Sequence, residues 1–350
     1  MDGAVLRAYI VCMHAQRTGH PRPQRRDRLL PCLWLVLAAC GETGTGVPVP
    51  DTAWMRYDGN PVLGPGAPGT WDERGVASPF VLAFADTALT MWYTGYDGTT
   101  HRIGMATSAD GVTWTKAPGN PVFAPGAPGT WDAEAVESPC VLFDGSVYTL
   151  FYGGRGNAGR AIGVATSSDG VHWLRHPEPV LTPTPVPFWD DGEVYAPWVT
   201  SDGASFEMWY TGSNGFRQIG YAMSEDGLLW TKLFTPVIPA QALEAVSFEP
   251  CVLVTGSVLR IWYGARHESP GGGAFPGVID TAQSIDGVDW SSHRTVLSPG
   301  TAGAWDADAV GAPCVLGVGR GQRMWYEGWS GLMPGDPSQG TSAIGLATFP

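Results

Sequence analysis

Short apolar and aromatic runs recur along the chain, cut by Gly, Pro, Asn and Asp, and they return in a fixed order. One kind of run is centred on a proline: Pro79, Pro139, Pro197, Pro250 and Pro313. A second is aromatic, as in Met91-Trp92-Tyr93-Thr94-Gly95, Leu150-Phe151-Tyr152, Met208-Trp209-Tyr210, Ile261-Trp262-Tyr263 and Met324-Trp325-Tyr326. A third reads Ile103-Gly104-Met105-Ala106 or Ile162-Gly163-Val164-Ala165, and ends in a Ser-x-Asp-Gly-x-x-Trp turn at Asp110-Gly111, Asp169-Gly170, Asp226-Gly227 and Asp286-Gly287. Asp-Gly between β-rich runs is a hairpin signal, because Gly accepts the positive φ that the turn requires. A fourth, outer strand follows each of these turns. Each unit opens on an Asn-Pro-Val-Leu-like start, such as Asn60-Pro61 and Asn120-Pro121. In four copies a Trp-Asp pair follows: Trp71-Asp72, Trp131-Asp132, Trp189-Asp190 and Trp305-Asp306.

Strand units at a spacing of about sixty residues are the signature of a β-propeller, since no unit can bury both of its faces alone. The expected fold is all-β: a five-bladed β-propeller with four-stranded blades. The fifth copy stops at Thr348 without its Asp-Gly turn, while Trp54 precedes Asn60 by the interval that separates Trp114 from Asn120. Residues 52–57 are therefore expected to supply the outer strand of the last blade, so that the N-terminal strand closes the ring and leaves no open edge.

The first forty residues have a different character. Arg25, Arg26 and Arg28 precede an apolar stretch from Leu29 to Ala39 that is too short to remain as a membrane span. The stretch ends in Leu37-Ala38-Ala39-Cys40, which resembles the bacterial lipobox. Residues 1–39 are expected to be a signal peptide of the lipoprotein type, and 40–51 the lipidated Cys40 and a tether, with the propeller spanning 52–350. This places the protein in the bacterial cell envelope, lipid-anchored or secreted, touching a membrane through its anchor alone. The other reading is a plain signal peptide with a coincidental cysteine.

Composition adds two limits. A net charge of −13, with no Lys/Arg cluster after residue 40, excludes nucleic acid as a partner. Cys140, Cys251 and Cys314 share one repeat setting, Pro-Cys-Val-Leu, and read as small buried residues; no disulfide, metal site or cofactor is expected.

Residues repeated in every unit serve the repeat, so chemistry is sought where the repeat breaks. Two positions before the central Pro the copies read Ala77, Glu137, Tyr195, Phe248 and Gly311; one before, they read Ser78, Ser138, Ala196, Glu249 and Ala312. Glu137 and Glu249 are thus carboxylates where the other copies are uncharged. Asp191 and Glu193 add acids at the entrance of the third unit, and Tyr195 and Trp198 make its first strand aromatic. Loops after the second strands offer Asp97, Arg155, Asn214, Arg266, Glu268 and Trp329. Aromatic faces stack on sugar rings, and carboxylates and Arg bind hydroxyls by charge-assisted hydrogen bonds. The candidate catalytic set is Glu137, Asp191, Glu193 and Glu249; the candidate sugar-binding set is Asp97, Arg155, Tyr195, Trp198, Arg266 and Trp329.

The Asn-Pro-Val starts, Trp-Tyr-Thr-Gly strands and Ser-x-Asp-Gly-x-x-Trp turns over residues 52–350 resemble the five-bladed glycosidase superfamily of arabinanases, levansucrases, invertases and β-mannoside phosphorylases. The resemblance implies glycoside hydrolysis by inner-strand carboxylates, with Glu137-Ser138-Pro139 matching the family's Glu-x-Pro acid and Glu249-Pro250 a looser match. The family's Asp-Pro motifs have no counterpart on an inner strand; the one Asp336-Pro337 stands in a late loop. Three readings stay open: a surface-anchored glycoside hydrolase acting on plant-type or microbial oligosaccharides, a non-catalytic carbohydrate-binding lipoprotein, and a scaffold for protein partners.

Overall fold

The computed structural model describes residues 54–84, 88–240, 246–267, 277–318, 321–331 and 340–350. The expected signal segment, Cys40 and the tether lie outside the described residues, as do Glu268 and Asp336-Pro337.

The described residues are all β. A short β1 (Met55–Arg56) is followed by β2 (Gly75–Ala83), β3 (Leu89–Tyr96), β4 (His101–Ser108) and β5 (Thr115–Lys116). The same order returns as β6 (Ala135–Phe143), β7 (Tyr148–Gly156), β8 (Gly159–Ser167) and β9 (Leu174–Arg175). Next come β10 (Glu193–Ser201), β11 (Phe206–Ser213), β12 (Arg217–Ser224) and β13 (Trp230–Lys232), then β14 (Val246–Thr255), β15 (Val258–Arg266), β16 (Val278–Ser284) and β17 (Ser291–Leu297). Last are β18 (Ala309–Val318), β19 (Gly321–Ser330) and β20 (Thr341–Phe349). β6–β9, β10–β13 and β14–β17 form separate four-stranded antiparallel sheets. β18–β20 and β2–β5 belong to one eight-stranded sheet, joined by a single parallel pairing of Gly75 with Ser342. β1 lies beside β20, with Met55 facing Thr348, and Trp54 packs edge-on against Trp262. Each sheet's first strand packs on the next: β2 on β6, β6 on β10, β10 on β14, β14 on β18, and β18 on β2.

The central prolines shape these first strands. Proline has no N–H for the ladder, so pairing must break where it stands. All five strands carry a register shift there, for example between Glu137 and Cys140. The residue before each proline takes a left-handed backbone: φ is 45° at Ser78, 52° at Ser138, 47° at Ala196, 53° at Glu249 and 42° at Ala312. Such a backbone costs about 1 kcal/mol or more per non-glycine residue and persists only where its surroundings hold it. Here the N–H of the bulged residue turns to the neighbouring sheet. Ser138 donates to Thr94 Oγ1 at 2.9 Å and Glu249 to Thr211 Oγ1 at 2.8 Å.

The three buried cysteines do more than fill space. Cys140 Sγ accepts the Val199 N–H, Cys251 Sγ the Val315 N–H and Cys314 Sγ the Val81 N–H, each at 3.2 Å and each from the first strand of the next unit.

The Trp-Asp pairs are anchors of the repeat. The Trp71 ring lies over β3 and β4 so closely that a Cβ on Gly95 or Gly104 would stand 2.2 or 2.6 Å from it, which is why both positions are glycine. The Asp beside each Trp is buried and accepts from a Tyr hydroxyl: Tyr93 to Asp72, Tyr152 to Asp132, Tyr210 to Asp190 and Tyr326 to Asp306. A cation from an outer strand completes each cluster: Lys116 at 2.5 Å, Arg175 at 2.8 Å, Lys232 at 2.6 Å and Arg56 at 2.9 Å respectively. The Asp-Gly turns are also structural. Asp110 Oδ1 accepts the Val112 and Thr113 N–H groups, and Trp114 Nε1 donates back to Gly111 O.

Candidate functional site

Several repeat positions contribute side chains to one cavity of about 330 Å³. One of these positions is the residue before each Pro, where Ser78, Ser138 and Glu249 line the cavity. A second set consists of cross-strand pairs: Ala77 with Thr94, Glu137 with Gly153, Tyr195 with Thr211, Phe248 with Gly264, and Gly311 with Glu327. In four of these pairs a side chain larger than threonine faces a small partner across the ladder. A Cβ on Gly264 would stand 2.8 Å from the Phe248 ring, and one on Gly153 would touch Glu137 Cγ at 3.4 Å. Further cross-strand pairs each add at least one lining residue: Tyr96 with His101, Arg155 with the lining Arg160, Ser213 with the lining Arg217, and Trp329 with Ser342.

Of the residues singled out in the sequence, Glu137, Tyr195, Glu249, Arg266 and Trp329 line this cavity. The other five stand elsewhere. Asp97 is held in its own turn, accepting the Thr99 and Thr100 N–H groups and pairing with Arg102 at 2.6 Å. Asp191 accepts the Phe188 N–H at 3.1 Å. Arg155 pairs with Glu134 at 3.5 Å. Glu193 reaches Arg160 Nη1 at 3.4 Å, so it stands behind a cavity residue rather than in the cavity. Trp198 forms part of the floor: its Nε1 donates to Val252 O at 2.9 Å, its ring packs on Phe80 at 5.1 Å, and it borders a narrower opening among the five prolines.

Arg74, Tyr96, His101, Arg160, Arg217 and Glu327 also line the cavity, and none was singled out from the sequence. The signal was present for three of them. Two residues before the Ile of the third strand the copies read His101, Arg160, Arg217, Gly277 and Ser342, all facing the cavity. The repeat breaks that stand out in the sequence lie on the first strands and the loops, and this position lies on neither.

The carboxyls have distinct surroundings. Glu137 Oε1 is 3.0 Å from Arg160 Nε, an ion pair without hydrogen-bond alignment, and His101 Nδ1 is 3.9 Å from Oε2. The Arg160 guanidinium lies over the Tyr195 ring, 4.8 Å from its centre. Burial lowers the His101 pKa below its usual value, against the pull of Glu137, so its imidazole stays neutral at pH 7. Glu249 accepts the Ala312 N–H, while its Oε2 is covered and has no hydrogen-bond partner among the described residues. Burial pushes its pKa up to about 7, opposed by Arg217 and reinforced by Glu137. Glu327 is 3 % exposed. It accepts from the Ser78 N–H and the Ser342 side chain, doing for β2 what Thr94 and Thr211 do for β6 and β14. Burial, then the neighbouring Glu249, raises its pKa well above the usual carboxylate range.

No family model matches the sequence. Two uncharacterized proteins from strains of Mycobacterium tuberculosis are 28 % identical to it over 301 residues, covering 79 % of this chain and 95 % of theirs. Solved structures share its β-propeller fold at 15–18 % identity. A glycosyl hydrolase from Bacteroides ovatus superposes with a TM-score of 0.65 over 85 % of this chain and 93 % of its own. A protein of the GH130 family of mannoside phosphorylases, which contains glycoside hydrolases that target β-1,2 mannosidic linkages in Candida mannan, gives 0.63 over 85 % and 93 %. An N-acetylgalactosamine deacetylase from F. plautii in complex with blood group B trisaccharide gives 0.62 over 84 % and 95 %.

Proposed function

We propose that this protein is a carbohydrate-active β-propeller that hydrolyses a glycosidic bond in its central cavity. One observation carries the reading: Glu137 and Glu249 enter the same aromatic-lined cavity, and each has a buried oxygen that no described residue hydrogen-bonds. Glycoside hydrolysis needs two carboxyls of unlike character, one protonated at working pH and one able to act as base or nucleophile. Glu249, raised by burial, suits the proton donor; Glu137, ion-paired to Arg160, suits the base or nucleophile. The family resemblance had suggested Glu137 as the acid, and the surroundings favour the opposite assignment. Trp329, half-buried in the cavity lining, offers a surface on which a sugar ring can stack, whereas the Tyr195 ring is covered by Arg160.

The test is a panel of aryl furanosides, aryl pyranosides and plant or microbial oligosaccharides, incubated with the mature chain and with Glu137→Gln. Turnover that falls by about a hundred-fold or more in the variant supports hydrolysis. Binding of a panel sugar without turnover would establish the second reading, a carbohydrate-binding protein, which the missing Asp-Pro motifs favour. Absence of both would leave a protein scaffold.

As part of the same reading, the sheets are five blades of four strands, closed into a ring by β1 beside β20. Supporting this are the succession of first-strand contacts that returns from β18 to β2, and the five prolines around one narrow opening. The Leu37-Ala38-Ala39-Cys40 sequence supports export and lipid anchoring at Cys40. Intact mass of the mature protein from a bacterial envelope is expected to start at Cys40 with a diacylglyceryl addition. Cys40→Ala is expected to abolish the lipid mass; a chain that begins elsewhere without lipid would make this an ordinary signal peptide.

A further inference from the structure

The chain as a whole is acidic, with 33 Asp and Glu against 20 Lys and Arg. Its cavity is not. Four described lining residues are arginines, Arg74, Arg160, Arg217 and Arg266, against three glutamates, of which burial pushes Glu249 and Glu327 toward the neutral form. Where an acidic protein concentrates arginine in a concave site, a ligand is the usual reason.

The excess can be located. Arg160 is matched by Glu137 at 3.0 Å and Glu193 at 3.4 Å. Arg217 and Arg266 have no carboxylate within ion-pair distance among the described residues. The Arg217 guanidinium lies over the Phe248 ring, 5.4 Å from its centre, which fixes its plane and leaves its N–H edge available. Arg266, exposed at the end of β15, lines the same cavity as Arg217. Two guanidinium groups held as neighbours repel one another, and an anion between them removes that cost.

We propose that the cavity selects a saccharide bearing a carboxylate, a uronic acid unit, and that Arg217 and Arg266 bind that carboxylate. The inference rests on the carbohydrate reading above. A planar carboxylate matches a guanidinium fork edge to edge. Trp329 then meets the ring that carries the carboxylate.

The experiment is calorimetric titration of the full mature chain with matched ligands: oligogalacturonate against the corresponding neutral oligogalactoside, a glucuronate-containing oligosaccharide against its glucose counterpart, and inorganic phosphate alone. The uronate member of at least one pair is expected to bind at least ten-fold more tightly than its neutral match, with an affinity that weakens as salt rises. Arg217→Gln is expected to bring that ratio close to one. Arg266→Gln, at an exposed position where folding is not at stake, is expected to lower it as well. Neutral and acidic members binding alike would overturn the proposal while leaving the carbohydrate reading standing. So would a ratio unchanged in both variants, or binding of phosphate without uronate. No binding of any saccharide would overturn both.

Discussion

Glu249→Gln is expected to lower kcat on any cleaved glycoside by about 10²–10⁴-fold, the usual contribution of a positioned general acid. The same substitution is expected to make the folded protein more stable at pH 8. Both effects come from one cause. Burial raises the folded-state pKa of Glu249 from the ordinary 4.5 to about 7, so the folded protein holds a proton there that the unfolded chain has already lost. Stability therefore falls as pH rises through the window from 4.5 to about 7, where the folded state must either keep the extra proton or bury a charge. Glutamine carries no charge and retains an oxygen for the Ala312 N–H, so the variant escapes that loss. Denaturant unfolding at pH 4 and pH 8 checks the sign: the two proteins should be close at pH 4 and the variant ahead at pH 8. In the wild type, kcat/KM is expected to fall as pH rises above about 7, because the donor is then deprotonated. A variant that keeps full turnover would remove Glu249 from the chemistry. One that is no more stable at pH 8 would show that its carboxyl is not held in a desolvated site.

Asp132→Ala is expected to destabilise the fold by about 3 kcal/mol, toward the low end for a broken buried ion pair. Asp132 is 0 % exposed and binds the Tyr152 hydroxyl at 2.9 Å and Arg175 at 2.8 Å. Truncation leaves the hydroxyl and the guanidinium without their common acceptor. Arg175 keeps some access to water, at 25 % exposure, which limits the loss. The substitution lies behind the cavity wall, so residual folded protein should bind sugar with unchanged affinity. Urea unfolding together with a sugar titration separates this from a role in the site: a variant of wild-type stability that had lost binding would move Asp132 from scaffold to site.

The architecture was legible because it is carried by repetition. Asp110 needs only its own turn to accept two backbone N–H groups, and Trp71 needs only Gly95 and Gly104 to lie flat. Such requirements are local, so they are written once in every copy and their period shows. Repetition also explains why Asp72, Asp132, Asp190 and Asp306 could be read as structural before their Tyr and cation partners were known.

The site was legible only in part, because it is written where copies differ. Glu137 and Glu249 stood out as carboxylates at otherwise uncharged positions. Glu327 did not, although its clue lies across the ladder: Gly311 leaves the place that Glu137, Tyr195 and Phe248 fill in other copies, and Glu327 fills it from β19. Arg160 and Arg217 occupy a register position on the third strands that faces the cavity only because β8 and β12 are paired as they are.

By itself, then, the sequence determined the strand units, their turns and the break in pairing at each proline, since these follow from φ preferences, a missing N–H and close contacts within a unit. Which of the acidic and basic residues share a cavity was decided by the tertiary structure alone. Glu193 and Glu249 are both acids on first strands, yet one stands behind Arg160 and the other lines the cavity with a carboxyl oxygen covered. That difference arises from packing between sheets about sixty residues apart in sequence, where burial and neighbouring charges set what each carboxyl can do.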